Sequence, residues 1–494
     1  MAQAAQFEAA LEIIETLRAR GYEAYLAGGC VRDLLLGRVP ADYDVATNAT
    51  PDIVLEMFPR TFAVGAHFGV VLVAPEPDDA GLVTEVATFR CDLAYSDGRH
   101  PDGVRYTKTA EEDAQRRDFT INGLLLDVAR LAPGDTGPST RPLLRLGLAQ
   151  DDHSEKAHLE IRAAVIDYVG GLADLDAGVI RAIGRPEQRF EEDRLRMLRA
   201  VRFAARFGFE IEPETMRAIR ALAPRIHAVS RERVRDELTR MLTEGHARRA
   251  FELLDETGLL EHVLPEIAQM KGVEQPPQYH PEGDVWIHVL LVLEQLPVNC
   301  TATLAWGALL HDVGKPPTFR RAPDRIRFDR HAEVGVAMGA EICRRFRFSN
   351  DETRQILALV DNHMRFMDVQ RMKESTLKRF FRLEKFDEHL ALHHMDCLAG
   401  SGFLDHWNYV RERVSSMTEE IVRPKPLITG RELIAAGYKP GAGFREMLQA
   451  AEDAQLEGEV RTGEEALKLV RERFPIRDKQ GRQESTSPAQ KDEP

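Results

Sequence analysis

The chain has 494 residues, 43% of them hydrophobic, which is enough for about two to four domains with cores of their own. Acidic side chains outnumber basic ones by 80 to 66, and the net charge of −14 excludes a protein that binds nucleic acid through bulk positive charge. A local basic groove is still allowed, because segment 181–249 holds 17 Arg against 11 acidic residues. This concentration of Arg indicates a site for a polyanion.

The N-terminal pattern predicts an amphipathic helix over about 6–20 rather than a signal peptide, and no stretch approaches the ~20 apolar residues of a membrane span. The cysteines are scattered without a CxxC pair, which argues against a disulfide framework and a zinc ribbon. These features predict a cytoplasmic enzyme with no membrane partner. The five cysteines are Cys30, Cys91, Cys300, Cys343 and Cys397.

The first 180 residues mix short apolar runs with helical patterns, which predicts an α+β domain with a small mixed sheet. Strands are expected at 24–27, 70–73 and 83–89, and a second helix at about 30–37. Residues 131–164 contain Pro, Gly, Ser and Thr at close intervals, so we expect an exposed insertion with one short helix.

The remainder of the chain reads as helical. The pattern is continuous from about 186 to 270, with Gly208 and Gly258 as stops, and residues 280–415 are helical and rich in His. A last helical piece over 424–474 is broken at Pro440, and the polar tail is expected to be disordered. The predicted domains are 1–180, 181–270, 271–415 and 416–475, followed by the tail 476–494.

The strongest motif is LAGGCVRDLLLGRVPADYDVATNATP. Gly28 and Gly29 between a strand and a helix let backbone N–H groups approach a phosphate, and Arg32 could reach the same group. Asp42 and Asp44 point to one side of an extended segment, where a divalent cation would relieve their repulsion. Such a carboxylate pair suits two-metal phosphoryl transfer, and Glu85 is a candidate third carboxylate. An isolated DxD would more often be a solvated strand end.

Two later motifs carry further candidates for nucleotide binding. In RRDFTIN, Arg117 could bind phosphate and Asp118 could hold it in place or contact a ribose; alone, this motif is equally typical of a capped surface helix. In RFEEDRLRMLRAVRFAARFGFEIE, the three-residue spacing predicts that Asp193, Arg196 and Arg199 share a broad helix face. Arg202 lies further round the same helix, and exposed ion pairs are the ordinary alternative for this pattern.

Together these motifs resemble the class II CCA-adding tRNA nucleotidyltransferases and the related bacterial poly(A) polymerases of the polymerase-β superfamily. The resemblance covers about residues 20–270. It implies that Asp42 and Asp44 bind Mg²⁺, and that Gly29, Arg32 and Arg117 contact the triphosphate. It also implies that Asp193 and Arg196 read C or A, with Arg199 and Arg202 as further nucleotide contacts. The implied fold is a polymerase-β-like head followed by an all-α neck, body and tail.

The resemblance favours addition of CCA over synthesis of poly(A). AVGAHFGVVLV at 63–73 is closer to the tRNA enzymes, and YSDGRHPDGVRYTK at 95–108 is similar to the flexible region that CCA enzymes need for the final A. The implied partners are the 3′ end of tRNA with CTP and ATP, and not DNA. Poly(A) or A-only addition is the alternative within this family.

A second set of candidate residues lies between 288 and 396. His311 and Asp312 are adjacent and are followed by Gly314 and Lys315. A lone His on an apolar helix would usually be a core residue with its hydrogen bonds satisfied, but here several His and Asp residues occur together. The full set predicts a metal pocket made by several helices. Its members are His288, His311, Asp312, His331, His363 and Asp396.

This set is similar to the HD superfamily of metal-dependent phosphohydrolases. The resemblance implies that His288, His311, Asp312 and Asp396 bind a divalent transition metal such as Mn²⁺ or Ni²⁺. It also implies that His331 and His363 hold a second metal and that Lys315 contacts phosphate. The resemblance further implies phosphatase and 2′,3′-cyclic phosphodiesterase activities, for which a bound metal would lower the pKa of its water. The alternative for this domain is a structural body that contacts tRNA. An alternative of another class is a phosphohydrolase with a non-catalytic RNA-binding head.

Overall fold

The computed structural model describes residues 2–62, 69–74, 83–92, 104–131 and 153–476. Most of the two segments used to favour CCA addition (63–73 and 95–108), the first part of the predicted insertion and the tail after 476 lie outside the described residues. The chain forms two compact units. The first comprises Met1–Lys271, Leu296–Ala302 and Arg344–Arg347, and the second comprises Gly272–Gln295, Thr303–Cys343 and Phe348–Pro494.

The first unit is built on a mixed sheet that has seven strands within the described ranges, in the order β3-β4-β5-β2-β1-β8-β9. Strands β2 and β5 are parallel, whereas the other neighbouring pairs are antiparallel. The strands are β1 (Ala24–Ala27), β2 (Val45–Thr47), β3 (Thr61–Phe62), β4 (Val70–Val73), β5 (Thr84–Thr88), β8 (Leu125–Leu126) and β9 (Val165–Ile166). A separate hairpin pairs β6 (Arg90–Asp92) with β7 (Val104–Tyr106).

Helices flank this sheet because their apolar faces need cover. Helix α1 buries Phe7, Ile14 and Leu17, and α3 begins at Pro51, whose missing N–H costs nothing at the first helical position. The helices are α1 (Ala2–Ala19), α2 (Gly29–Leu35), α3 (Pro51–Met57), α4 (Ala110–Gln115), α5 (His153–Ala164) and α6 (Gly171–Ala177), with 3₁₀ turns at Thr120–Asn122 and Val128–Arg130.

Within the described residues, the first unit has seven more helices. Gly208 ends α8 in the left-handed conformation at φ 70°, and the chain then forms a short parallel pair between β10 (Val179–Ile180) and β11 (Glu210–Ile211). The helices are α7 (Pro186–Glu192), α8 (Leu195–Phe207), α9 (Pro213–Leu222), α10 (Arg231–Thr243), α11 (Ala247–Glu256), α12 (Leu259–Val263) and α13 (Pro265–Ala268), with a 3₁₀ segment at Ala223–Ala228.

The described residues of the second unit are mainly helical and include a hairpin of the exposed β12 (Phe319–Arg321) and the partly buried β13 (Ile326–Phe328). Its helices are α14 (Val285–Glu294), α15 (Ala302–Leu310), α16 (Lys315–Thr318), α17 (His331–Arg345), α18 (Asn350–Asn362), α19 (Glu374–Phe381), α20 (Phe386–Ala399), α21 (Asp405–Ser415), α22 (Glu419–Val422), α23 (Gly430–Ala435), α24 (Gly443–Glu457) and α25 (Gly463–Arg473). A 3₁₀ segment covers His363–Arg371. Leu433, Ala466 and Val470 form a small core among the last three helices.

The structure confirms the α+β class, with a mixed sheet in the N-terminal part followed by helices. The short helix expected in the predicted insertion is present as α5, but the expected exposure is wrong there, because α5 buries Ile161 and Ala164 completely and leads directly into strand β9. The hairpin at 319–328 interrupts a stretch expected to be helical. None of the helices in the described residues is long and apolar enough to span a membrane.

Candidate functional site

Three predicted carboxylates lie around neighbouring strands of the sheet. Asp42 and Asp44 precede β2, and Glu85 lies on β5, whose parallel register with β2 begins at Val45 and Val86. Burial, followed by the charges of Asp42 and Glu85, raises the pKa of Asp44 to about 7, while Arg117 opposes the shift. A carboxylate held among other carboxylates is a hard oxygen donor that a cation would stabilise, so this set fits Mg²⁺.

Gly28 and Arg117 meet beside these carboxylates. Gly28 has φ 73°, and a Cβ atom added to it would lie 2.7 Å from Nη1 of Arg117. The guanidinium is held from behind by Asp113, which is 1% exposed and whose Oδ2 accepts from Arg117 Nη2 at 3.0 Å. Asp113, which was not predicted from the sequence, thus holds the positive charge of Arg117 against the backbone of Gly28.

Arg32 lies deeper than expected. Its Nε and Nη2 donate to Asp33, and its Nη1 donates to Oδ1 of Asn122 at 2.5 Å. The guanidinium also stacks on Phe203 and Phe207, with 5.2 Å and 4.6 Å to the ring centroids. The structure therefore places Arg32 in a buried polar network, and a direct triphosphate contact by this residue stays a prediction.

Asp118 connects that network to α8. It accepts from Asn122 Nδ2 at 3.0 Å and from Arg199 Nε at 2.9 Å, and its ion pair with Arg199 brings Nη2 to 2.7 Å from Oδ2. Burial alone would raise its pKa, but Arg199 and the hydrogen bond from Asn122 outweigh burial and lower the pKa to about 2. Asp118 is therefore ionised at neutral pH and holds Arg199 in place.

Asp193 lies between α7 and α8 rather than within a helix, which corrects the prediction of one helix face. Its backbone is extended, at φ −141° and ψ 105°, and its Oδ1 accepts from the backbone N–H of Leu195 at 3.1 Å. An Asp side chain that bonds the backbone two residues on competes with helix formation, which explains the break. Arg233 of α10, missed by the sequence analysis, binds Asp193 Oδ2 at 2.7 Å.

Arg196 and Arg202 differ in environment. Arg196 donates to Glu192 Oε2 at 2.6 Å and to the carbonyl oxygen of Arg189 at 3.1 Å, near the position of Asp193. Arg202 is 4% exposed and forms a buried ion pair with Glu237 at 2.7 Å. The Arg196 side chain is thus 11% exposed and Arg202 is committed to the interior, and a nucleotide contact by Arg196 stays a prediction.

The second set of predicted residues converges in the second unit, and we call these six side chains the histidine–aspartate cluster. His288 of α14 lies with Nε2 3.0 Å from Asp396 Oδ1, and His311 Nε2 lies 3.2 Å from Asp312 Oδ2. Asp312 Oδ1 faces the other pair, at 3.6 Å from His331 Nε2 and 3.7 Å from His363 Nε2. The cluster comprises His288, His311, Asp312, His331, His363 and Asp396.

The histidines of the cluster direct one ring nitrogen toward its centre. Nε2 of His288 and of His311 is buried and makes no hydrogen bond, although carboxylate oxygens lie 3.0 and 3.2 Å away. Buried ring nitrogens left without a partner, next to carboxylate oxygens, fit a divalent transition metal. The chemistry of the donor set therefore agrees with the metal expected from the sequence.

Electrostatics within the cluster are strongly coupled. Burial lowers the pKa of His363 to about 4, so that ring is neutral at physiological pH. His288 behaves oppositely, because Asp396 and Glu282 outweigh burial and raise its pKa to about 9. Lys315 adds a positive charge at 2.6 Å from Asp312 Oδ2, which holds the pKa of that carboxyl well below its usual range.

Two supporting residues were not anticipated from the sequence. Glu282 binds Nδ1 of His288 at 2.7 Å, and Gln275 accepts from Nζ of Lys315 at 2.6 Å. Both come from residues 272–284, a segment without regular helix or strand. The sequence HPEGD before His288 carried the available signal, because it places a carboxylate six residues before a predicted metal ligand.

Family models match three parts of the chain. The model of the poly(A) polymerase head domain matches residues 24–136. The model described as "Probable RNA and SrmB- binding site of polymerase A" matches 208–271, and that of tRNA nucleotidyltransferase domain 2 matches 333–470.

Curated relatives carry the description CCA-adding enzyme. That of Geobacillus thermodenitrificans is 40% identical over 263 residues, which is 53% of this chain and 56% of the relative. That of Lactobacillus gasseri is 36% identical over 295 residues, or 59% of this chain and 65% of the relative. The chain therefore matches little more than half the length of the first of these relatives.

Solved structures extend the likeness over most of the chain. The Bacillus stearothermophilus CCA-adding enzyme in complex with CTP is 26% identical with a TM-score of 0.68, covering 95% of this chain and 98% of that one. The Thermotoga maritima CCA-adding enzyme complexed with tRNA is 19% identical with a TM-score of 0.53, covering 94% and 95%, which is a likeness of fold. The chain is therefore similar to CCA-adding enzymes over most of its length, and its N-terminal and C-terminal parts match the models of the poly(A) polymerase head domain and of tRNA nucleotidyltransferase domain 2.

Proposed function

We propose that the chain adds C, C and A to the 3′ end of tRNA, using CTP and ATP and releasing pyrophosphate. The observation that carries this proposal is the position of Asp44, a half-buried carboxylate whose charge interacts with Asp42, Glu85 and Arg117. Asp42 and Asp44 would hold Mg²⁺, with Glu85 alongside. When bound, Mg²⁺ activates a ribose hydroxyl and neutralises the triphosphate.

The chain's own residues provide binding and orientation. Gly28 leaves the backbone open beside Arg117, so a phosphate can contact both the main chain and the guanidinium. Asp113 keeps that guanidinium in place. The nucleotide would thus be anchored by its phosphates before its base is read.

Asp193 and Arg196 supply an acceptor and a donor for the base. Cytosine and adenine both present an amino donor next to a ring-nitrogen acceptor, whereas uracil and guanine present the reverse. A carboxylate beside a guanidinium therefore favours CTP and ATP over UTP and GTP. Arg233 and Glu192 support this pair, because they fix Asp193 and Arg196 respectively.

The test is to incubate the full chain with a tRNA transcript that ends at the discriminator base and with labelled CTP, ATP or both. We expect incorporation that stops after three nucleotides, and none after Asp44→Asn. Glu56→Gln, which alters an exposed carboxylate of the same unit, should retain wild-type incorporation. Continued addition from ATP alone on generic RNA would instead establish a poly(A) polymerase, and absence of incorporation would refute nucleotidyl transfer.

The histidine–aspartate cluster favours a second candidate function, hydrolysis of 2′,3′-cyclic or terminal phosphates. The supporting observation is the pair of buried, unpartnered Nε2 atoms of His288 and His311. A divalent transition metal such as Mn²⁺ or Ni²⁺ would lower the pKa of a bound water, and Lys315 would attract the phosphate. Asp312→Ala should abolish hydrolysis and spare incorporation, while Asp44→Asn should do the reverse. Loss of both activities in either variant would contradict two separate sites.

A further inference from the structure

The segment before α14 folds back on itself. Glu274 and Asp284 form an isolated antiparallel bridge, and the backbone N–H of Gln275 donates to the carbonyl oxygen of Gly283 at 3.0 Å. Gly283 has φ 77°, a conformation that favours glycine. This closure directs Glu282 inward, where its side chain is 5% exposed.

Glu282 Oε1 accepts two hydrogen bonds. One comes from Nδ1 of His288 at 2.7 Å, and the other comes from Nδ1 of His280 at 2.9 Å. Its Oε2 is buried without a partner, so the carboxylate has been taken out of water for these two contacts. Burial of a carboxylate costs free energy, so we ask what Glu282 does for the two histidines that compensates for this cost.

His288 differs from the other three histidines of the cluster. Nδ1 of His311, His331 and His363 lies 2.8, 3.0 and 2.7 Å from a backbone carbonyl oxygen three residues earlier in the chain. Their tautomer is therefore set by the main chain. In His288, by contrast, Nδ1 is held by the side chain of Glu282.

We propose that Glu282 is a positioning residue that fixes the tautomer and ring angle of His288, so that Nε2 faces the histidine–aspartate cluster as a metal ligand. The inference rests on the proposed hydrolytic function of that cluster. A ring held by a carboxylate at Nδ1 cannot turn that nitrogen toward the metal, and its Nε2 becomes a more basic donor. His280 contacts the same oxygen from outside the cluster and is dispensable for this role.

The experiment measures binding of Mn²⁺ to the full-length chain by calorimetry in excess Mg²⁺, which keeps the proposed cation site at Asp42 and Asp44 occupied, with the visible absorption of bound Co²⁺ as a second readout. Glu282→Ala should weaken Mn²⁺ binding about 10- to 100-fold and change the Co²⁺ spectrum. Glu282→Gln retains an oxygen acceptor for Nδ1 and should recover most of the affinity. His280→Ala and Glu274→Gln, the latter an exposed carboxylate of the same segment, should bind Mn²⁺ like the wild type.

Each result decides a specific point. If Asp312→Ala loses Mn²⁺ but Glu282→Ala binds as tightly as the wild type with an unchanged Co²⁺ spectrum, the positioning role is overturned and the metal site stands. If His280→Ala is as damaging as Glu282→Ala, the trio itself is the ion site and the proposal is wrong. If the wild type binds no Mn²⁺ or Co²⁺, both the proposed hydrolysis and the positioning role fail. Far-UV circular dichroism of each variant separates these results from loss of folding.

Discussion

Arg117 occupies the space that a side chain on Gly28 would need: its Nη1 lies 2.7 Å from the ideal Cβ position. The contact joins two sequence motifs that are almost ninety residues apart, the GG pair and RRDFTIN. The backbone gives a second reason for a glycine at this position, since φ at Gly28 is 73°.

Gly28→Ala should therefore weaken nucleotide binding more than an alanine at a glycine that has a similar φ but no neighbouring atom. We expect about a tenfold higher KM for CTP and ATP, because the new methyl group displaces the Arg117 guanidinium, and about 1 kcal/mol of lost stability from the positive φ. The matched control is Gly37→Ala, where φ is 65° but no atom lies within 4 Å. Equal effects of the two variants on KM would show that Arg117 is not involved.

The lowered pKa of Asp118 predicts a pH-dependent contribution to stability. The folded value of about 2 lies below the ordinary 3.8, so the contribution is present above pH 3.8 and is lost as the pH falls through about 2. A shift of this size corresponds to about 2 kcal/mol. Asp118→Asn should lower the free energy of unfolding by at least that amount at pH 5–7, and the gap to wild type should narrow below pH 4.

Circular dichroism in urea is the measurement for Asp118, because the three tryptophans, Trp286, Trp306 and Trp407, all belong to the second unit and do not report on the first. The exposed Asp52→Asn serves as the control and should follow the wild type at every pH. A gap for Asp118→Asn that stayed constant down to pH 2 would contradict the assigned ion pair with Arg199.

Residues could be predicted from the sequence where a short motif or a strand places them. His311 and Asp312 are adjacent in sequence, and the structure does bring them together with His288 and Asp396. Asp42 and Asp44 likewise precede a strand that pairs with the one carrying Glu85. In these cases a short motif or a strand register decides where the side chain lies.

Supporting residues were not predictable, because tertiary packing places them. Arg233 reaches Asp193 from a helix forty residues later, and Gln275 meets Lys315 across an equal distance in the chain. The break at Asp193 also escaped the helical pattern, since a single side-chain bond to the backbone of Leu195 outweighs helix propensity there.

Arg202 is expected to stabilise the fold rather than bind a nucleotide. Arg202→Met leaves Glu237, 4% exposed, without its main partner, and should cost about 3 kcal/mol of unfolding free energy. The double variant Arg202→Met with Glu237→Met should recover at least half of that loss, because an apolar pair replaces the buried charges. Selection of CTP and ATP should survive in the double variant, in contrast to Asp193→Ala. A stable Arg202→Met protein that misincorporates UTP would make Arg202 a direct contact instead.

Gly314 sets the distance between the two halves of the histidine–aspartate cluster. A Cβ atom there would lie 2.1 Å from the carbonyl oxygen of His331 and 2.6 Å from the backbone nitrogen of Gly335, and backbone atoms cannot yield as a flexible side chain does. Gly314→Ala should thus separate Asp312 from His331 and destabilise the second unit by about 3 kcal/mol. Tryptophan fluorescence in urea measures this, since the tryptophans lie in that unit. Gly441→Ala, whose nearest atom is 3.9 Å away, is the control in the same unit, and a Gly314→Ala protein as stable as that control would contradict the close approach.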